Sequence, residues 1–174
     1  MKNNISKIII FSFAIFFLFV FWRGLKIDNN YDTRSLIGNQ ISKFRVIKID
    51  NNNQYISEED LKKNTYTLIN FFASWCAPCK TEHKYLLKLS NKNKQIKIIG
   101  INFKDKKNNA INFLKDLGNP YDFVGRDSDG KISILFGIYG IPESILVDSN
   151  LTVIKKIVGP IGQFQYDKIL ELIQ

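Results

Sequence analysis

Apolar and polar positions divide the 174-residue chain into three regimes. From Ile8 to Trp22 runs IIIFSFAIFFLFVFW, fifteen residues without a charge, bounded by Lys7 and Arg23. It is apolar on every helical face, whereas a soluble surface helix keeps one apolar stripe. Residues 28–43 (DNNYDTRSLIGNQISK) are polar and irregular and read as a linker or arm. From residue 44 onward, short β-branched runs alternate with stretches of helical periodicity.

That third regime predicts the elements of one domain. FRVIKI at 44–49 is a strand candidate, followed by an Asp-Asn turn. Ser57 before Glu58, Glu59 and Asp60 is the pattern of a helix start. TYTLINFFA at 65–73 and IKIIGINF at 96–103 are nearly continuous apolar runs, the signature of buried central strands. Pro78–Asn93 and Lys106–Leu117 have apolar residues at helical spacing, the second closed by Gly118 and Pro120. A short strand follows at 121–124, and 132–136 fits a helix or a strand equally. Ser144–Asp148 and Leu151–Val158 form a hairpin across Ser149-Asn150, and Phe164–Ile173 is a terminal amphipathic helix. Strand and helix alternating, then a hairpin and a helix, predict an α/β fold with one mixed sheet.

The N-terminal run is shorter than the ~20 residues of an ideal membrane span. Ile5, Leu25 and Ile27 extend it, because Lys7, Arg23 and Lys26 can reach the headgroups. No pair of small residues suited to cleavage follows; Trp22-Arg23-Gly24-Leu25 is a poor site. Residues 1–27 are therefore read as an uncleaved membrane anchor, with a cleaved signal peptide as the alternative. The flanking cations are nearly balanced and do not orient it.

Charge and composition exclude several classes. Beyond residue 27 there are 147 residues with 21 basic and 16 acidic side chains. The lysines read as scattered, with no aromatic-basic stripe, so no nucleic-acid partner is expected. Two cysteines and one histidine exclude a disulfide-dense scaffold, a four-cysteine metal site and a multi-histidine metal centre. No metal is expected. Asp127-Ser128-Asp129-Gly130 resembles the start of a calcium loop, but Ile138 stands where its last acid belongs, leaving a turn.

The candidate chemistry lies in Cys76-Ala77-Pro78-Cys79, after a buried strand and at the start of a helix. A CxxC alone fits half a metal site, a copper-carrier loop or a redox couple. The helix start favours the last. It places the Cys76 sulfur near unpaired N–H groups and the positive end of the helix dipole, which stabilise a thiolate. Cys79, one turn later, is placed to attack a mixed disulfide on Cys76. Pro78 lies in the first turn, where its missing N–H matters least. Cys76 is thus the expected nucleophile and Cys79 the resolving thiol, with no cofactor beyond their disulfide. Trp75 is read as an apolar docking surface beside an exposed sulfur, with core packing as the alternative. Ile141-Pro142 precedes an apolar strand; a proline there serves as an edge or turn device.

FFASWCAPCKTEH at 71–83 and YGIPESILVD at 139–148 resemble a thioredoxin-fold oxidoreductase. With GINFKD at 100–105, FLKDLGNPYD at 113–122 and GIYGIPES at 137–144, the chain resembles the anchored thiol–disulfide oxidoreductases of bacterial cytochrome c maturation, CcmG/DsbE. The resemblance implies a thioredoxin fold over 44–174, tethered to the inner membrane and facing the periplasm. It implies a reductant that keeps cysteines of apocytochrome c, or of a maturation partner, reduced for haem attachment. A membrane carrier of the DsbD/CcdA type would recharge it. It further implies a cis Ile141–Pro142 peptide facing the cysteines, and an element inserted within 104–135. Two alternatives remain: an anchored reductant with another envelope client, and a CxxC metal chaperone.

One departure stands out. A thioredoxin carries a buried aspartate where this chain has Asn70, so a carboxylate assisting Cys79 must come from elsewhere. Glu82 and Glu143 match acidic positions of the family's site. Both are expected at an exposed acidic rim that raises the Cys76 pKa and favours basic partners. The alternative reading for each is an ordinary solvated charge. His83 is read as a packing or capping histidine.

Overall fold

A computed structural model describes residues 2–25, 36–92 and 95–173. The chain divides into two compact units, Met1–Asp32 and Thr33–Gln174. The first holds α1 (Lys2–Leu25). Its segment Lys7–Gly24, 18 residues and about 27 Å of helix, is long and apolar enough to cross a membrane. Lys26 and Ile27 of the expected anchor, and 28–35 of the expected linker, lie outside the described residues.

The second unit is built on a five-stranded sheet in the order β5-β4-β3-β6-β7. β3 (Tyr66–Phe72) lies at its centre, parallel to β4 (Ile96–Phe103) and antiparallel to β6 (Glu143–Asp148). β5 (Phe123–Asp127) extends the parallel side and β7 (Val153–Val158) the antiparallel side. β1 (Arg45–Ile47) and β2 (Tyr55–Ser57) form a separate antiparallel pair. The helices are α2 (Glu58–Leu61), α3 (Ala77–Lys92), α4 (Lys107–Leu117), α5 (Lys131–Leu135) and α6 (Gln163–Leu172).

β3 shows why the two central runs are so apolar: both faces are covered. Leu68 and Phe72 point into a core with Leu86 and Leu89 of α3, Phe113 of α4 and Ile169 of α6. Ile69 and Phe71 point the other way, onto Val46, Ile56, Leu61 and Phe136. Alternation along the strand puts Asn70 on the first face, beneath α3.

Three local expectations are modified. β2 had no strand signal because it is three residues long and buries only Ile56. The ambiguous segment at 132–136 is helical. The Asp127 carboxylate accepts the Ile132 and Ser133 N–H groups at 3.1 and 2.8 Å and the Ser133 hydroxyl at 2.6 Å, holding the first turn. The described end of the expected linker, from Leu36, is pinned to the domain. Gly38 N–H donates to Val153 O at 2.9 Å and Ile41 N–H to Leu151 O at 3.0 Å.

Candidate functional site

β3 delivers Ser74-Trp75-Cys76 to the tip of α3. Cys76 and Cys79 are joined by a disulfide and are 4 % and 2 % exposed, so the expected exposed sulfur is nearly covered. The Cys79 backbone N–H donates to Cys76 Sγ at 3.2 Å. That N–H is one of the helix's unpaired first-turn donors, and it sits where a Cys76 thiolate needs one. Pro78 is exposed within the first turn. Trp75 is 59 % exposed, which excludes the core-packing alternative.

The turn after β4 holds this loop. Asp105 accepts Ser74 N–H at 2.6 Å and Ser74 Oγ–H at 2.9 Å, and Trp75 Nε1–H donates to Lys104 O at 3.2 Å. Lys104 has φ +42°, a left-handed conformation that costs a non-glycine residue on the order of 1 kcal/mol. An open cleft of about 450 Å³ lies beside the loop, lined by Trp75, Lys80, Asn112 and Phe113 among others.

Glu82 is not on the rim. It is 1 % exposed and shares the buried side of α3 with Cys79, one turn away. Its Oε1 accepts Asn70 Nδ2–H at 2.8 Å and its Oε2 accepts Ile161 N–H at 2.8 Å. Asn70 also donates to Ser144 Oγ at 3.0 Å and accepts Tyr121 O–H at 2.7 Å. Burial pushes the Glu82 carboxyl up to about 7, against the lowering effect of its two hydrogen bonds. Burial, and then the Glu82 charge, holds the Tyr121 hydroxyl well above its ordinary range. The carboxylate displaced from the Asn70 position thus reappears on the helix facing it.

Glu143 is also interior, 2 % exposed at the start of β6. Its Oε1 accepts the N–H groups of Tyr139 and Gly140, each at 2.9 Å. Its Oε2 is paired with Lys156 Nζ at 3.1 Å, both side chains being buried. Lys156 donates in turn to Gly137 O at 2.5 Å. The segment between these contacts carries Ile141–Pro142, whose peptide bond is cis. Ile141 packs against the buried cluster containing both cysteines. The acidic rim is therefore overturned: both carboxylates are spent on interior donors, because α3 and β6 turn those positions inward.

His83 packs, as its bland reading held. Its Nε2 lies 2.8 Å from Gly118 O and its ring stands edge-on to Phe113. Burial lowers its pKa, opposed by the Gly118 hydrogen bond.

Sequence reasoning passed over two features. Lys156 looked like one polar residue in VIKKIV, and only the sheet register, opposite Ile145, turns it inward. The lysines read as scattered include Lys80, Lys84, Lys88 and Lys92, all exposed on α3. Their four-residue spacing was the available signal.

The comparisons agree with this geometry. The Redoxin family model matches residues 36–170. The thiol:disulfide interchange protein DsbE of Escherichia coli K12 is 37% identical over 147 residues, 84% of this chain and 78% of that protein. The thiol:disulfide interchange protein CycY of Rhizobium leguminosarum is 50% identical over 98 residues, 56% of this chain and 52% of that protein. A crystal structure described as a DsbE from Chlorobium tepidum superposes with a TM-score of 0.70. It is 24% identical and spans 79% of this chain and 98% of that one. With a thioredoxin-like sheet presenting Cys76 and Cys79 at a helix tip, the chain belongs to the Redoxin family, among the DsbE-type thiol:disulfide interchange proteins.

Proposed function

We propose that this oxidoreductase is a membrane-tethered periplasmic reductant, with Cys76 as its attacking thiolate. Its clients are the cysteines of apocytochrome c or of a maturation partner carrying them, and a membrane dithiol carrier of the DsbD/CcdA type recharges it. The observation that carries the reading is the Cys79 N–H directed at Cys76 Sγ at 3.2 Å. It favours Cys76 as the group that holds negative charge, leaving the more buried Cys79 to resolve.

In the reductive half-cycle the Cys76 thiolate attacks a client disulfide, forming a mixed disulfide and releasing one client thiolate. Cys79 loses its proton and attacks the Cys76 sulfur, releasing the second client thiolate and closing the Cys76–Cys79 disulfide. Glu82, one turn from Cys79 and with a carboxyl near 7, is suited to take that proton. Trp75 and the Ile141–Pro142 loop supply the surface on which a client chain lies.

A Cys79→Ala chain expressed with its N-terminal segment in a bacterial membrane tests this. Mass spectrometry of trapped adducts should find Cys76 joined to cysteines of CxxCH-bearing proteins. Adducts confined to other envelope proteins would transfer the role to another client. An unreactive Cys76 would refute the assignment of the nucleophile.

A further inference from the structure

Exposed charge at the mouth of the site is carried by α3. With Glu82 and Glu143 interior, the exposed charge nearest the cysteines on that helix is Lys80, which lines the cleft beside Trp75. Behind it Lys84, Lys88 and Lys92 repeat every four residues, all exposed. Residues so spaced form one inclined ridge, here about 18 Å long. The sole acid on α3 is the buried Glu82. Among the described residues no carboxylate is paired with any of the four lysines.

The neighbouring charges offset the ridge only in part. On α6, Asp167 accepts a hydrogen bond from Gln163 and Glu171 is paired with Lys168. Beyond Trp75 the β4–α4 turn adds exposed Lys104 and Lys106, while the carboxylate between them, Asp105, is committed to Ser74 and Asn102. Asp116, across the cleft, is the one exposed acid lining it. The ridge opposes its own helix, since like charges four apart disfavour it by about 0.2–0.5 kcal/mol a pair.

We propose that the Lys80–Lys84–Lys88–Lys92 ridge is a docking rail for an acidic protein partner of the Cys76–Cys79 site. The inference rests on the reductive exchange proposed above and specifies the chemistry of the partner. It reverses the sign expected from an acidic rim. Contiguity selects a protein over a lipid surface: the ridge begins at the residue lining the reaction cleft, so whatever covers it also reaches Cys76. Complementary charge of this kind acts chiefly on the association rate, and salt weakens it.

The test uses the full chain in nanodiscs, reduced beforehand and freed of reductant. Three synthetic peptides, each holding one internal disulfide, differ only in flanking Glu, Gln or Lys residues. Each reaction converts the protein dithiol and peptide disulfide into protein disulfide and two peptide thiols. Second-order rates are read at low and high salt for the native chain and for Lys84→Gln/Lys88→Gln/Lys92→Gln, with the Gln-flanked peptide as reference. The native chain should favour the acidic peptide over the Gln-flanked one by roughly tenfold at low salt. That preference should shrink at high salt and fall to within about twofold in the triple variant.

Equal rates for the three peptides, or a preference surviving in the variant, would overturn the rail. Repeating the assay in anionic and zwitterionic nanodiscs separates the lipid reading. A preference abolished by anionic lipid in the native chain would make the ridge a lipid-binding face and overturn the protein rail. No exchange with any peptide would instead refute the reductive reading, so the two failures are distinguishable.

Discussion

Replacing Glu82 with Gln should change how stability depends on pH. Glu82 is 1 % exposed, so solvent screens its charge little, and no cation is paired with it among the described residues. Its carboxyl titrates near 7 in the folded protein against an ordinary 4.5, because burial disfavours the charged form. The folded chain therefore holds this proton more tightly than the unfolded chain does. The stability from that proton is complete below about 4.5 and is lost as pH rises through 7. The difference corresponds to about 3 kcal/mol by pH 8.

Gln removes the titration at a fixed cost. It accepts with one oxygen, whereas Asn70 Nδ2–H and Ile161 N–H both require acceptors, so one hydrogen bond of about 1 kcal/mol is lost at every pH. The variant should be the less stable protein at pH 5 and the more stable one at pH 8. His83 acts in the opposite sense: its depressed pKa contributes stability that is lost as pH falls through its ordinary 6.5 and below. It is present in both proteins and cancels in the difference. Urea unfolding of the oxidised full chain in micelles, at half-unit steps from pH 4.5 to 8.5, gives that difference. A native-minus-variant stability constant to within about 0.5 kcal/mol across the range would refute a buried, unpaired Glu82.

Four further outcomes are expected. Asn70→Asp places a second carboxylate against Glu82 Oε1, 2.8 Å from the present Nδ2, and should destabilise by about 2 kcal/mol or more at pH 8 and much less at pH 5, read by the same urea series. Lys156→Met strands Glu143 without its cation and should cost about 3–5 kcal/mol, with Glu143→Gln/Lys156→Met recovering part of it in thermal unfolding. Gly100→Ala sets a Cβ 2.8 Å from the Tyr121 ring and 3.0 Å from Phe72, and should cost about 1–3 kcal/mol by chemical denaturation. With thionitrobenzoate preloaded on Cys76, its release by Cys79 should slow at least tenfold in Glu82→Gln at pH 7, with the rate then following the thiol's own ionisation; identical pH profiles would remove Glu82 from the proton path.

The elements were legible where one interaction dominates. β3 and β4 are buried on both faces, so their apolar runs announced them; α4 carries one apolar stripe closed by Gly118. β2 and α5 were not legible because each is too short to carry a pattern of its own and is fixed by a neighbour: β2 by pairing with β1, and α5 by the Asp127 carboxylate. The cysteine pair was legible because CxxC at a strand-to-helix junction needs only local geometry. The placement of Glu82 and Glu143 was not. A glutamate in sequence carries no mark of which helix face is covered, and the sheet register that buries Lys156 beside Glu143 joins residues thirteen apart through a hairpin.

The two acids that looked equivalent in sequence differ in what surrounds their oxygens, and that difference separates their roles. Glu143 faces one ammonium and two backbone N–H groups. Together with Lys156 it ties the backbone of Gly137, Tyr139 and Gly140 just ahead of Pro142. Glu82 faces an amide and one backbone N–H, too little to offset its burial, so its charge responds to pH near neutrality. A carboxyl near 7 is partly ionised at neutral pH, and its carboxylate form can take the proton that the Cys79 thiol must lose within the reaction. An acid engaged by two backbone N–H groups and one ammonium serves to hold the loop before Pro142 in place. With both carboxylates interior, the exposed charge beside the cysteines is mainly lysine, with Asp116 across the cleft. The electrostatics a partner meets are then set by the exposed face of α3 rather than by the groups that handle the proton.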